Sequence, residues 1–245
     1  LSSWQLGYGY IGINAGKVSN INARKAIMSA MQTSLAIEYY VAGTAKAIVW
    51  PMSTVSWAYP DNNDNNGHTY TQFSSKSSAI QKITQYSAGL SESEKDLKFT
   101  IAGASITEHP CYRVFLQAME LLNQCGWSVE VRADSQALTK LATGSLEVWA
   151  AAWGSTIDPD MYQVYHKNSN ATSVYAWGYR EILAAPASYP EETRIINELS
   201  VLIDEGRETM DEPTRRGIYQ DAMSLVLDLA VELPVYQRRN LYVYN

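Results

Sequence analysis

Apolar and polar positions along this chain switch between a period of two and a period near 3.6, and the switches mark its elements. The run "YGYIGIN" (8–14) predicts a strand. From Asn20 to Leu35 the spacing of Ile21, Met28, Met31 and Leu35 predicts a helix capped by Asn20. The stretch "EYYVAG" predicts a further turn of helix ending at Gly43. Residues 48–67 carry Pro51, Pro60 and the run "PDNNDNNG", and are expected to form a long loop. A helix from Ser77 to Ala88 is stopped by Gly89.

The period then becomes regular. "LKFTIAG" (97–103) predicts a strand, and His109-Pro110 starts a helix running to about Cys125 and stopped by Gly126. "SVEVRA" (128–133) alternates as a strand does, Asp134 caps a helix over Ser135 to Thr143, and "EVWAAAW" (147–153) predicts the next strand. This β-α-β-α-β order implies right-handed crossovers and an α/β fold whose sheet is mainly parallel and flanked by helices. In such sheets ligands bind beyond the carboxyl ends of the strands, which places the turn 153–158 at a candidate site. Residues 191–207 and 213–230 predict two long helices, and "VELPVYQRRNLYVYN" two short extended segments.

With 245 residues the chain has the length of one large domain or two small ones. Apolar residues make up 46 % and charged residues 18 %, which excludes a disordered class. The net charge of −6, without a basic cluster, argues against nucleic-acid binding. Tyrosine is abundant, with 17 copies beside seven Trp and three Phe, which suits surfaces that grip mixed ligands. Cys111 and Cys125 would lie ~21 Å apart on one helix, beyond the roughly 7 Å between Cα atoms that a disulfide spans, so two free thiols are expected. No apolar run approaches the ~18 residues of a membrane span. The chain starts at Leu1 rather than Met and is expected to be a piece of a longer protein.

Few residues carry an obvious chemical signature. The loop "NNDNNG", read from Asn62, gives the first half of a calcium loop, but position twelve is Phe73 where a bidentate Glu belongs. His68, His109 and His166 share no metal-ligand spacing, so no metal site is expected. Nucleophile elbows and phosphate loops are absent. Asp158 and Asp160 form a carboxylate pair able in principle to serve as general acid and base. A helix start explains them more cheaply, with Asp158 as cap, Pro159 in the first turn and Asp160 at the positive helix end. The tryptophans Trp50, Trp57, Trp153 and Trp177 all fall in or beside predicted turns, a pattern of pocket walls more than of catalysis.

Five segments together resemble the large C-terminal lobe of the oligopeptide/dipeptide/nickel-binding family (family 5) of ABC-importer solute-binding proteins. "NINARKAIMSAM" after "YIGIN" is similar to that family's V-R-x-A helix, and "GTAKAIVWPM" to its G-x-A-x-P-A-x-G-P segment. The stretch from "LKFTIAG" to "LEVWAAAW" follows its strand and helix order. "WGSTIDPDMYQVY" is similar to its W-x-x-x-x-D-P-D segment, and "AVELPVYQRRNLYVYN" to its closing segment. The resemblance covers nearly the whole chain. It implies a type II periplasmic-binding-protein-like lobe, with residues 1–245 forming one lobe of a two-lobed protein whose N-terminal lobe lies outside this sequence.

The implied role is the extracytoplasmic solute-binding component of an ABC importer, in the periplasm or as a cell-surface lipoprotein. It would be a monomer without cofactor or enzymatic activity, partnered by a permease and held to the membrane only through an N-terminal anchor outside this sequence. Ligand contacts are expected from Trp153, Gly154, Ser155, Thr156 and Asp158, with Trp50 and Trp57 as a second contact. In the family's peptide binders the turn after the tryptophan supplies an Asp for the peptide's amino terminus. Here the turn is one residue shorter and the nearest equivalents are Ser155 and Thr156. Peptide is the expected cargo, with a sugar, a metal chelate or another small solute left open. The alternatives are a hydrolase using Asp158 and Asp160, and a peptide-sensing module using the same cleft.

Overall fold

A computed structural model describes residues 2–65 and 72–242. In chain order its strands are β1 (Ser2–Trp4), β2 (Gly9–Ile13), β3 (Ala45–Ala47), β4 (Asp96–Ala102), β5 (Ser128–Asp134), β6 (Val148–Ala152) and β7 (Glu232–Leu241). Its helices are α1 (Ile21–Ser29), α2 (Ser34–Ile37), α3 (Lys76–Ser87), α4 (Tyr112–Gln124), α5 (Ala137–Ala142), α6 (Tyr162–Tyr165), α7 (Thr172–Trp177), α8 (Tyr179–Ala184), α9 (Pro190–Glu208) and α10 (Glu212–Leu229).

The strands form one seven-stranded sheet in the order β1-β7-β2-β6-β4-β5, with β3 also paired to β7. The α/β architecture is as expected, but the sheet is mixed rather than mainly parallel. Strand β4 lies parallel to β5 and β6, the pairings that the repeated strand-helix period implies. Strand β2 is inserted between β6 and β7 and runs antiparallel to both. Strands β1 and β3 also pair with β7 antiparallel. The closing segment is therefore one long strand, second from one end of the sheet, not two short pieces.

Side-chain alternation divides the molecule into two cores. Ile11 and Ile13 of β2, Val148 and Ala150 of β6, and Leu233 and Val235 of β7 face an aliphatic core built on α1 and α4. Tyr10 of β2 and Trp149 of β6 face the opposite way, into an aromatic core with Tyr165, Trp177 and Tyr179. Gly12 permits this second face: a β-carbon there would stand 2.4 Å from the Trp149 ring. Helices α9 and α10, joined by a short turn, pack against each other and close the aromatic core through Ile195, Leu199, Met223 and Val226. Pro190 and Pro213 sit in the first turns of these helices, where a missing N–H costs nothing.

Helix boundaries show where apolar spacing and backbone continuity part. Asn20 caps α1 by accepting from Asn22 N at 2.9 Å, as expected, but the helix ends at Ser29. Met31 and Leu35 still reach the core, one from the turn and one from α2, so their spacing recorded burial rather than one helix. Residues 38–44 form turns, not helix. Helix α4 starts at Tyr112, because His109 Nδ1 accepts from Cys111 N at 3.1 Å and shapes a turn first. Cys111 and Cys125 flank the two ends of α4 as free thiols. Burial pushes the Cys111 thiol up to about 12, which keeps it unreactive.

Among the described residues no helix is long and apolar enough to cross a membrane, and no group of three or more His, Cys, Asp or Glu is placed to hold a metal ion. The calcium-loop reading depends on Asn66 and Gly67, which lie outside the described residues, as does His68. His166 is buried with its Nε2 3.0 Å from Asp204, and accepts from Asn168 N at Nδ1.

Candidate ligand-binding cleft

Strand β6 ends at Ala152, and Trp153 carries the chain out of the sheet while its N–H still donates to Tyr8 O at 2.9 Å. The carbonyl of Trp153 lies against Gly7, where a β-carbon would stand 2.0 Å away, so only glycine lets these two segments meet. Beyond this point the chain opens. No backbone bond within the described residues uses the amides of Gly154, Ser155 or Thr156, and nothing lies within 4 Å of a β-carbon built on Gly154. Asp158 does not cap a helix: its Oδ1 accepts from Asp160 N at 2.8 Å, and Asp160 Oδ1 accepts from Tyr162 N at 3.1 Å. Two consecutive Asx turns replace the expected first helical turn, and α6 starts only at Tyr162.

These segments enclose a cavity of about 160 Å³ at the carboxyl end of β6. Trp153, Gly154, Ser155, Thr156 and Asp158, five of the seven candidate residues, line it together. Pro51, Met52 and Ser53 of the long loop form the facing wall. Trp50 lines a neighbouring cavity with Gln220, and Trp57 lines another with Lys46 and Thr54, so the structure does not bring these two tryptophans to the first site. Trp57 packs against Tyr219 with centroids 6.5 Å apart, and Arg215 lies over its ring. Trp177 is fully buried in the aromatic core and forms no pocket wall.

The floor was not legible in the sequence. Tyr8, at the mouth of β2, and Tyr165, on α6, line the cavity beside Trp153. All three donate to one buried carboxyl: Trp153 Nε1 to Glu232 Oε1 at 2.7 Å, Tyr8 Oη to the same oxygen at 3.0 Å, and Tyr165 Oη to Glu232 Oε2 at 2.5 Å. Glu232 is the first residue of β7 and has no exposed surface. Burial raises its carboxyl from 4.5 to about 7, and the three donors only partly offset that desolvation. The one sequence signal was an acid inside the apolar run "AVELPVY".

The aromatic rings behind the floor hold it rigid. Trp153 stacks on Tyr10, and Trp177 meets the rings of Tyr10, Trp149, Trp153 and Tyr165 at centroid distances of 5.7–6.2 Å. Each such pair contributes about 0.5–1.5 kcal/mol beyond its buried area. Among the described residues, the charged side chains lining the cavity are Asp158 and Asp160. Arg207 lies 3.5 Å from Asp160 but outside the lining. The arrangement offers aromatic faces, open backbone amides and negative charge, with no nucleophile poised beside a base.

Neither a family model nor a curated protein matches the sequence. Solved structures do match, and at low identity they establish the fold. The oligopeptide-binding protein AppA of Bacillus subtilis, solved with a nonapeptide, superposes with a TM-score of 0.73 at 16 % identity, over 98 % of this chain and 46 % of its own. OppA of Haemophilus influenzae, solved with the peptide RPPGFSPFR, gives 0.69 at 13 %, over 98 % and 44 %. The binding protein MoaA of A. tumefaciens, solved with mannopinic acid, gives 0.68 at 10 %, over 97 % and 45 %. The chain has the fold of a lobe of such solute-binding proteins and spans a little under half their length.

Proposed function

We propose that this chain is the C-terminal lobe of an extracytoplasmic solute-binding protein that delivers oligopeptides or a related small solute to an ABC permease. The observation that carries the reading is the convergence of Trp153, Gly154, Ser155, Thr156 and Asp158 with Tyr8 and Tyr165 on one cavity at the carboxyl end of β6, in a fold shared with proteins solved around peptides. Trp153 supplies an aromatic wall, and the N–H groups of the Gly154–Thr156 segment donate to carbonyl or carboxylate oxygens of an extended ligand. A second lobe, contributed by the remainder of the protein, covers the ligand by hinge closure. Trp50 and Trp57, which line other cavities, are not part of this contact set. The protein acts as a monomer outside the cytoplasm, tethered by a lipid anchor on the remainder of the chain.

The test compares this chain alone with the full reading frame by calorimetry against a peptide library. The two-lobed protein is expected to bind with micromolar or tighter affinity, and the isolated chain at least a hundredfold more weakly, because half of the contacts are missing. Equal affinity of the two would overturn the clamp. Turnover of any peptide by either form would restore the hydrolase alternative.

A further inference from the structure

A buried acid with no cation beside it is costly, and a chain keeps one only where its neighbours are organised around it. The donors to Glu232 come from three separate parts of the fold, namely Tyr8 before β2, Trp153 after β6 and Tyr165 on α6, and all three line the cavity. Among the described residues, the ionisable groups coupled to Glu232 are Tyr8, Tyr10, Tyr165 and Tyr179; burial pushes all four phenols upward and keeps them neutral, and a phenol carries no positive charge in either form. The rim above adds Asp158 and Asp160 and, among the described residues that line it, no Lys, Arg or His.

We propose that Glu232 is the positioning residue of the cleft: its carboxylate holds Trp153, Tyr8 and Tyr165 in the arrangement that forms the floor, and its charge makes that floor favour a cationic group of the ligand. The inference rests on the solute-binding reading for its second half only. When Glu232 is ionised it accepts from all three donors. When it is protonated, one hydroxyl must turn to accept instead, and the floor loses both a fixed donor direction and its negative charge. A ligand ammonium seated on the floor therefore favours the ionised form, and its binding weakens as the pH falls. Two sources of ammonium fit, the amino terminus of a peptide or a lysine side chain.

The first arm of the test needs no ligand. The chain labelled with 15N-tryptophan is followed by NMR, and the Trp153 indole N–H is identified by its loss in Trp153→Phe. That signal is expected to titrate with a midpoint near 7, to lose the titration in Glu232→Gln, and to titrate at higher pH in Tyr165→Phe, which removes one donor to the carboxylate. A Trp153 signal that ignores pH, or titrates equally in Glu232→Gln, overturns the positioning role. The second arm measures trialanine, N-acetyltrilysine and the neutral N-acetyltrialanine on the two-lobed protein at pH 6 and pH 8. Whichever cationic probe seats on the floor is expected to bind more tightly at pH 8, about tenfold for N-acetyltrilysine and about fivefold or less for trialanine, whose amino terminus is itself about half deprotonated there. Glu232→Gln should erase that difference, and the neutral probe should not show it. A pH profile unchanged in Glu232→Gln overturns the charge preference. Failure of both cationic probes to bind the wild type at either pH overturns the charge preference; the library calorimetry decides the solute-binding reading separately, and the indole titration decides whether Glu232 positions the floor.

Discussion

The ring of Tyr10 lies on that of Trp153 with centroids 4.5 Å apart and planes 4° from parallel. The residue at the edge of the cavity is thus the outermost member of a stack rooted in the aromatic core. Trp153→Ala should lower both stability, by about 2 kcal/mol or more, and ligand affinity. Trp153→Phe keeps a ring on Tyr10 but removes the donor to Glu232, so it should recover most of the stability and less of the affinity. Urea denaturation and calorimetry separate the two effects.

Gly7 and the Trp153 carbonyl share space that no side chain can enter. Gly7→Ala should cost about 1–3 kcal/mol by forcing the two segments apart. Because Tyr8 O also receives the Trp153 N–H, the near-ultraviolet circular dichroism of the aromatic stack should change with it. An unaltered melting temperature and spectrum would mean that the segment yields freely.

Glu232 also sets a pH dependence of stability. Its carboxyl is raised from 4.5 to about 7 in the folded chain, so between these values the folded state holds a proton that the unfolded state has released. The contribution therefore favours folding at low pH and is lost as the pH rises from about 4.5 through about 7, a difference of about 3 kcal/mol in all. Guanidinium titrations of wild type and Glu232→Gln across that window should show a difference in stability that grows with pH in favour of the variant.

Arg24 and Glu192 form a buried ion pair at 2.7 Å that ties α1 to α9. Arg24 also donates to the carbonyls of Val18, Ser19 and Leu229. Removing it orphans three carbonyls and a carboxylate, so Arg24→Met should cost about 3–5 kcal/mol. Glu192→Gln keeps an acceptor for the guanidinium and should cost clearly less. Equal costs in chemical denaturation would show that the carbonyl contacts contribute nothing.

Much was legible in the sequence because it is local. Period and punctuation placed β4, α4, β5, α5 and β6 within a few residues, since Gly89, Gly126 and Gly144 each follow a helix in the left-handed conformation that stops it. The turn after Trp153 was found for the same reason: strand, glycine, hydroxyls and Asp-Pro-Asp lie side by side. The Asp158 helix cap failed because an Asx turn and an N-cap use the same short acid, and only the continuing backbone chooses between them.

What the sequence alone determined, then, is the run of elements from β4 to β6 and the turn that lines the cavity, because apolar spacing and turn chemistry act over a few residues. Tertiary structure alone decided that β7, last in the chain, would lie beside β2, and that the sheet would be antiparallel there. That one long-range pairing carries Glu232 beneath Tyr8, 224 residues earlier in the chain, and Trp153, 79 residues earlier. No local pattern announces a partner so distant; it is fixed when β2 and β7 pair side by side and bury Ile11, Ile13, Leu233 and Val235 in one core.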